Sequence, residues 1–106
     1  MARYDVFPNP GASERVTPYL LDVQSDLLDA LDSRMVIPLR RARDFPAFAK
    51  RPERLLPAMK IGNEVFMLET PKMAAVPARV LKAPFASLAA ERERITAALD
   101  FLFQGF

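Results

Sequence analysis

The residues able to do chemistry in this 106-residue chain are few, and their types narrow the reactions open to it. There is no histidine, which removes the commonest general base, the usual partner of a nucleophilic serine and the commonest metal ligand. There is no cysteine, hence no disulfide framework and no thiolate ligand for zinc. Gly11, Gly62 and Gly105 stand too far apart to build a phosphate-cradling loop. Two residual chemistries stand. Asp22, Asp26, Asp29 and Asp32 carry the oxygen donors that magnesium takes, but their spacing matches no metal-binding loop, and a solvated acidic face is the plainer reading. Arginine with serine or threonine could cleave RNA without histidine, the guanidinium stabilising a pentavalent phosphate and acting as the acid. Arg40, Arg41, Arg43, Ser25 and Thr70 are available for that, with no spacing that singles them out. These absences favour a protein that binds over one that catalyses, and no catalytic residue, metal or cofactor is assigned.

Charge points the same way. The net charge is +2, but the excess is local. Between Arg40 and Arg54 there are six basic residues (Arg40, Arg41, Arg43, Lys50, Arg51, Arg54) against Asp44 and Glu53, while the rest of the chain carries nine basic and eleven acidic residues. A nucleic-acid surface would show such a strip, with Phe45 and Phe48 as stacking groups. The simpler reading is a solvated loop or short helix whose two phenylalanines anchor it to the core.

These residues must be positioned by a small set of elements. Ten prolines leave only 19–37, 58–70 and 85–106 as long proline-free stretches, the places where a long helix can form. Tyr4 to Phe7 reads as a first strand, and residues 8–17 as a loop. Arg34 to Leu39 reads as another strand, with Pro38 at an edge or bulge that tolerates its missing N–H. Met59–Ile61 and Glu64–Leu68 flank Gly62-Asn63, a β-hairpin signature. Residues 73–83 suggest a short strand interrupted by Pro77. The clearest helix is the last segment. Ser87 is placed to cap it, and Leu88, Ile95, Leu99 and Leu102 share one stripe. Ala97 and Phe101 lie off that stripe, so the helix either makes a second contact with another molecule or is wedged between two parts of its own domain. In TPYLLDVQSDLLDALDS, Leu20, Val23, Leu27 and Leu31 recur at helical spacing after Thr17-Pro18, while Tyr19, Leu21 and Val23 alternate like a strand; periodicity alone favours helix.

Half the residues are hydrophobic and a quarter charged, the balance of a globular domain, and the length suits a single one over 1–106. MARYDVFPNP lacks the apolar core of a signal peptide, and no apolar run approaches a bilayer span. With no cysteine, a cytoplasmic protein without membrane contact is expected.

Three stretches taken together carry a family resemblance. They are Asp22-Val23-Gln24-Ser25-Asp26-Leu27-Leu28-Asp29, then Arg34-Met35-Val36-Ile37-Pro38-Leu39, then Met73-Ala74-Ala75-Val76-Pro77, ahead of a helix closing on Gly105-Phe106. In this order and spacing the chain resembles CcdB, the toxin of the Ccd toxin–antitoxin system, from about residue 3 to the end. The resemblance implies a mainly β (α+β) fold: an antiparallel SH3-like barrel-type sheet with a small extra sheet and one C-terminal α-helix. It makes Tyr19 to Val23 a strand and 24–32 a loop. It further implies a homodimer, without enzymatic activity, that binds the A subunit of DNA gyrase, traps it on cleaved DNA and so inhibits the topoisomerase. A CcdA-like antitoxin neutralises such a toxin through a disordered C-terminal segment. The positions similar to the family's gyrase-contacting ones are Leu27, Leu28, Asp100, Phe103, Gln104, Gly105 and Phe106. Here the chain departs from the family's best-known ending, Trp-Gly-Ile, and carries Gln104-Gly105-Phe106; Asp100 stands where an amide is found there.

Physical reasoning agrees with a docking tip. FLFQGF places three phenylalanines beside the terminal carboxylate, and apolar ends of soluble monomers are normally covered. A two-fold dimer would bring two such ends near one axis, suited to a target that is itself two-fold. Alternatively the rings finish the core. Arg40, Arg41, Arg43, Lys50 and Arg51 form the strip expected to attract an acidic, disordered antitoxin segment. No sequence-specific nucleic-acid contact is expected. Two other functions compete: an endoribonuclease toxin of the MazF type, with Arg40, Arg41 or Arg43 in the reaction, and a low-potency relative that only binds antitoxin.

Overall fold

The structure is a computed structural model, which describes residues 1–11 and 15–106; the middle of the expected 8–17 loop lies outside them. Among the described residues, seven strands and one α-helix follow one another as β1 (Asp5–Pro8), β2 (Tyr19–Asp22), β3 (Ser33–Arg41), β4 (Ala58–Ile61), β5 (Glu64–Leu68), β6 (Ala74–Pro77), β7 (Ala86–Ser87) and α1 (Arg92–Gln104). Every strand pairing is antiparallel, in the order β4-β5-β3-β2-β1-β7, with β6 paired to the first half of β3. The result is a mainly β, nearly closed, barrel-like sheet with one C-terminal helix, the expected class. Among the described residues, no helix is long and apolar enough to cross a membrane.

The central strands are buried on both faces. Val6, Leu21, Ile37 and Leu39 point into the main cluster with Met59, Phe66, Leu68, Leu88 and Ile95, whereas their neighbours Phe7, Leu20 and Val36 join Leu81 in a second cluster. Successive residues of a strand face opposite sides, so a sheet covered twice needs a continuous apolar run in place of an alternating one. This is why Tyr19–Asp22 is a strand despite its helical spacing. Of the four residues that suggested a helix, Leu20 and Val23 are buried and Leu27 and Leu31 are exposed. Helix periodicity therefore fails here, and the strand and loop implied by the family resemblance hold.

The nine-residue β3 is the spine. It pairs with β2 on one side and with β6 and then β5 on the other. Pro38 sits within it opposite Leu20, and its carbonyl accepts the Glu69 N–H at 2.9 Å. A residue's N and C=O face the same side of a strand, so its missing N–H falls where β6 pairing has ended and β5 pairing has not begun. The β4–β5 hairpin turns at Gly62, whose φ of 63° lies in the left-handed region that glycine enters without strain. Ser87 does not cap the helix as expected: it ends β7, its Oγ accepts the Ala89 N–H at 3.2 Å, and a 3₁₀ turn over Ala89–Glu91 with Leu88 at its N-cap intervenes before α1, which starts after Glu91 with no side-chain cap. Ile95 and Ala98 are buried, and Leu99 packs on the core. Arg94 Nη2 donates to the Ala58 carbonyl at 2.7 Å and ties α1 to β4.

Candidate functional site

The end of α1 is apolar and uncovered. The helix stops at Gly105, which has a φ of 80° and donates its N–H to the Phe101 carbonyl at 3.0 Å. The chain thereby turns off the helix axis just where Phe103 and Phe106 are 68 % and 69 % exposed. Gln104, Gly105 and Asp100 are exposed as well, while Phe101 and Leu102 are half-buried. Phe101 lies under the Arg54 guanidinium, 5.3 Å from its ring centroid, so part of the off-stripe apolar surface is covered within the chain. Phe103 and Phe106 do not finish the core. Asp100 lines an open groove of about 370 Å³ with Tyr4, Arg54, Arg92, Glu93, Thr96 and Ala97.

A second exposed apolar feature sits on the connection from β2 to β3. Ser25 Oγ accepts the Leu27 N–H at 3.2 Å and opens one 3₁₀ turn over Asp26–Leu28. Leu27 is 93 % exposed, the most of any large apolar side chain in the described residues, and Leu28 is about half exposed. The segment just before β1 links this turn towards the helix groove. Arg3 N–H donates to Asp26 Oδ1 at 2.8 Å, and the adjoining Tyr4 lines the groove that holds Asp100.

Beneath the turn lies a charge pair that sequence reasoning missed. Asp22, Asp26, Asp29 and Asp32 do not form one solvated face. Asp22 is fully buried; its Oδ2 accepts Arg34 Nε at 2.8 Å and sits 2.7 Å from Nη2. Arg34 is buried too, and its Nη1 donates to Asp29 Oδ1 at 2.9 Å. Burial pushes the Asp22 carboxyl above its ordinary range, against the pull of the Gln24 N–H and of Arg34. Asp26 is taken by Arg3, and the Asp32 carbonyl accepts the Ala78 N–H at 2.8 Å. Among the described residues, no group of three or more acidic residues is arranged to hold a metal. Twelve positions separate Asp22 from Arg34, and only the antiparallel β2–β3 ladder, which sets Asp22 opposite Val36, brings them together.

The basic strip is largely engaged with its own chain. Arg40 Nη2 donates to the Asp44 carbonyl at 3.0 Å, its Nη1 is 3.9 Å from Glu69, and its guanidinium covers Phe45. Arg41 pairs with Glu64 and donates Nε to the Arg15 carbonyl at 3.3 Å. The hydrogen bond from Arg41 holds the Glu64 carboxyl below its ordinary range; desolvation opposes the shift, and the charges of Arg41 and Arg43 add to it. Arg51 donates to the Leu56 and Phe48 carbonyls at 2.8 and 2.9 Å and lies 3.9 Å from the Phe48 ring centroid. Phe45 and Phe48 are thus half-buried under their own arginines, neither core anchors nor open stacking platforms. Arg43 is mostly exposed and 3.8 Å from Glu64, and Lys50 is exposed. Arg15, Val16, Arg41, Arg43 and Asp44 line an open groove of about 490 Å³ beside them.

Of the residues weighed for RNA cleavage, Ser25 is held apart from the arginines, whereas Thr70 follows Glu69, which faces Arg40. Thr70 is buried, and Ser25 precedes β3 whereas Arg40 and Arg41 end it. A strand of that length spans roughly 26 Å at ~3.3 Å per residue.

Compared with known protein families, residues 3–105 match the family model described as CcdB protein.

Proposed function

The chain belongs to the CcdB family of toxin–antitoxin toxins, and from that premise we propose that it binds the A subunit of DNA gyrase and traps the enzyme on cleaved DNA, with no catalysis of its own. Docking uses Phe103, Gln104, Gly105, Phe106 and Asp100 at the end of α1, together with Leu27 and Leu28. The observation that carries this reading is the exposure of both terminal rings, 68 % for Phe103 and 69 % for Phe106, on a helix whose opposite side is anchored by Ile95 and Ala98. Rigidly presented aromatic side chains are what interface hot spots are made of. Phe103 and Phe106 supply apolar area that a tryptophan at position 104 would otherwise bring. The working unit is a homodimer in the cytoplasm, which sets two tips before a two-fold target.

A CcdA-like antitoxin neutralises the toxin by laying an acidic, disordered segment on the strip that includes Arg40, Arg41, Arg43, Lys50 and Arg51. Arg43 and Lys50 offer the most exposed charges for that contact, and the groove beside Arg41 and Arg43 offers a path.

A supercoiling assay with purified gyrase tests the proposal. The intact protein is expected to inhibit supercoiling and to accumulate cleaved DNA. Removing Gln104 to Phe106 is expected to abolish inhibition while leaving the circular dichroism spectrum and the dimer mass intact. A truncated protein that still inhibits would show that the tip is not the docking site. Purified protein incubated with RNA and no gyrase separates this from an endoribonuclease, which would cleave.

A further inference from the structure

Leu27 and Leu28 stand on a turn whose own apolar side chains do little to hold it, with Leu27 93 % exposed. A turn held so loosely would sample many conformations, and ordering it at an interface would cost affinity. Polar side chains from below tie it down instead. Asp26 accepts from the Arg3 N–H, Asp29 accepts from buried Arg34, and Ser25 accepts from the Leu27 N–H.

Gln24 does something the others do not, because its side chain both accepts and donates. Its Oε1 accepts the Met35 N–H at 3.0 Å, and its Nε2 donates to the Leu28 carbonyl at 3.1 Å. The paired residues of the β2–β3 ladder end at Asp22 opposite Val36, so the Met35 N–H lies beyond the register and finds its partner in this side chain. Its own backbone N–H donates to Asp22 Oδ1 at 3.0 Å, which ties the same residue to the buried Asp22–Arg34 pair. One planar amide therefore joins the start of β3 to the far end of the exposed turn.

We infer that Gln24 is a positioning residue for partner binding: by fixing the Leu28 carbonyl it holds Leu27 and Leu28 in their docking arrangement before the partner arrives. The inference rests on the reading that these two leucines meet gyrase. Only a side chain with an acceptor and a donor at this reach does the task. Glutamate keeps the acceptor for Met35 and loses the donor for Leu28.

The test uses the full chain and the purified gyrase A subunit in a surface binding assay. Gln24→Glu is expected to weaken affinity about tenfold, since a site populated in only a fraction of molecules binds in proportion to that fraction. Gln24→Met, neutral and of similar length, is expected to show a comparable loss, which separates the effect from the added charge. Amide exchange at Leu31, whose N–H donates to the Leu28 carbonyl, is expected to speed up in both. In a Leu27→Ala/Leu28→Ala background, Gln24→Glu is expected to have no further effect on affinity, because Gln24 acts through those side chains. Full additivity there, unchanged affinity in the single variants, or a Gln24→Glu protein that fails to fold would each overturn the inference. If Leu27→Ala/Leu28→Ala itself leaves gyrase affinity unchanged, the docking role of the turn is lost. Exchange at Leu31 then reports separately whether Gln24 holds the turn.

Discussion

Replacing Phe103 and Phe106 by alanine separates folding from docking. Phe103 and Phe106 keep 68 % and 69 % of their surface in solvent, so truncation removes little that the folded chain uses. Stability is therefore expected to change by no more than ~0.5 kcal/mol, as at other exposed positions. The proposed complex with gyrase is expected to lose much more. Full burial of a phenylalanine contributes about 1.5–3 kcal/mol, and two-thirds of that, the part still exposed, is about 1–2 kcal/mol per ring. That corresponds to roughly 5- to 30-fold in affinity for one ring, and on the order of a hundredfold for both if they act independently. Thermal denaturation gives the first quantity, and a titration of gyrase supercoiling activity gives the second. Inhibition that persists undiminished in the double variant would refute the tip as the docking surface. A large fall in the thermal midpoint would refute the premise that the rings lie outside the core.

Other perturbations follow from the same geometry. Asp22→Asn leaves the buried Arg34 guanidinium with only the exposed Asp29 carboxylate as charge partner, and urea denaturation should show a loss of about 3 kcal/mol. Asp22→Leu combined with Arg34→Met should recover much of that loss, because no unpaired charge then remains inside. Glu64 is held below its ordinary range by Arg41, so below pH ~4.5 the unfolded chain binds its proton first and stability falls as the pH drops through the native value. Glu64→Gln should flatten that part of the stability profile in thermal melts between pH 5 and pH 3. Asp22, raised by burial, acts in the opposite sense and is common to both proteins, so it cancels in the comparison. If an acidic antitoxin segment docks on the basic strip, calorimetric affinity should fall as salt rises from about 50 to 300 mM, and Arg43→Glu should weaken it further. Salt-independent affinity would count against that surface.

The Asp22–Arg34 pair and the Gln24 bridge give the DVQSD stretch a physical meaning. Asp22 anchors Arg34, Gln24 spans strand and turn, Ser25 opens the turn, and Asp26 fastens it to Arg3. Leu27 and Leu28 are thereby presented outward by a polar scaffold, and the core of the barrel contributes little to holding them.

Several elements were legible in the amino-acid order because local physics alone decides them. Gly62-Asn63 between two apolar runs specifies a hairpin, since few residues other than glycine enter the left-handed region freely. The stripe through Ile95, Leu99 and Leu102 specifies the last helix, and the lack of histidine and cysteine narrows the chemistry before any fold is known. The long-range decisions were not legible. Leu20 and Leu21 are buried in different clusters, and a run buried on both faces carries no alternation to betray a strand. Six basic residues between 40 and 54 look like an open cationic strip in one dimension, yet Arg40, Arg41 and Arg51 spend their hydrogen bonds on their own chain. Asp22 resembled one more solvated aspartate until the β2–β3 register set it beside Arg34. Composition and periodicity act over a few neighbouring residues, whereas burial and ion pairing depend on which strand lies alongside, and that choice belongs to the tertiary fold.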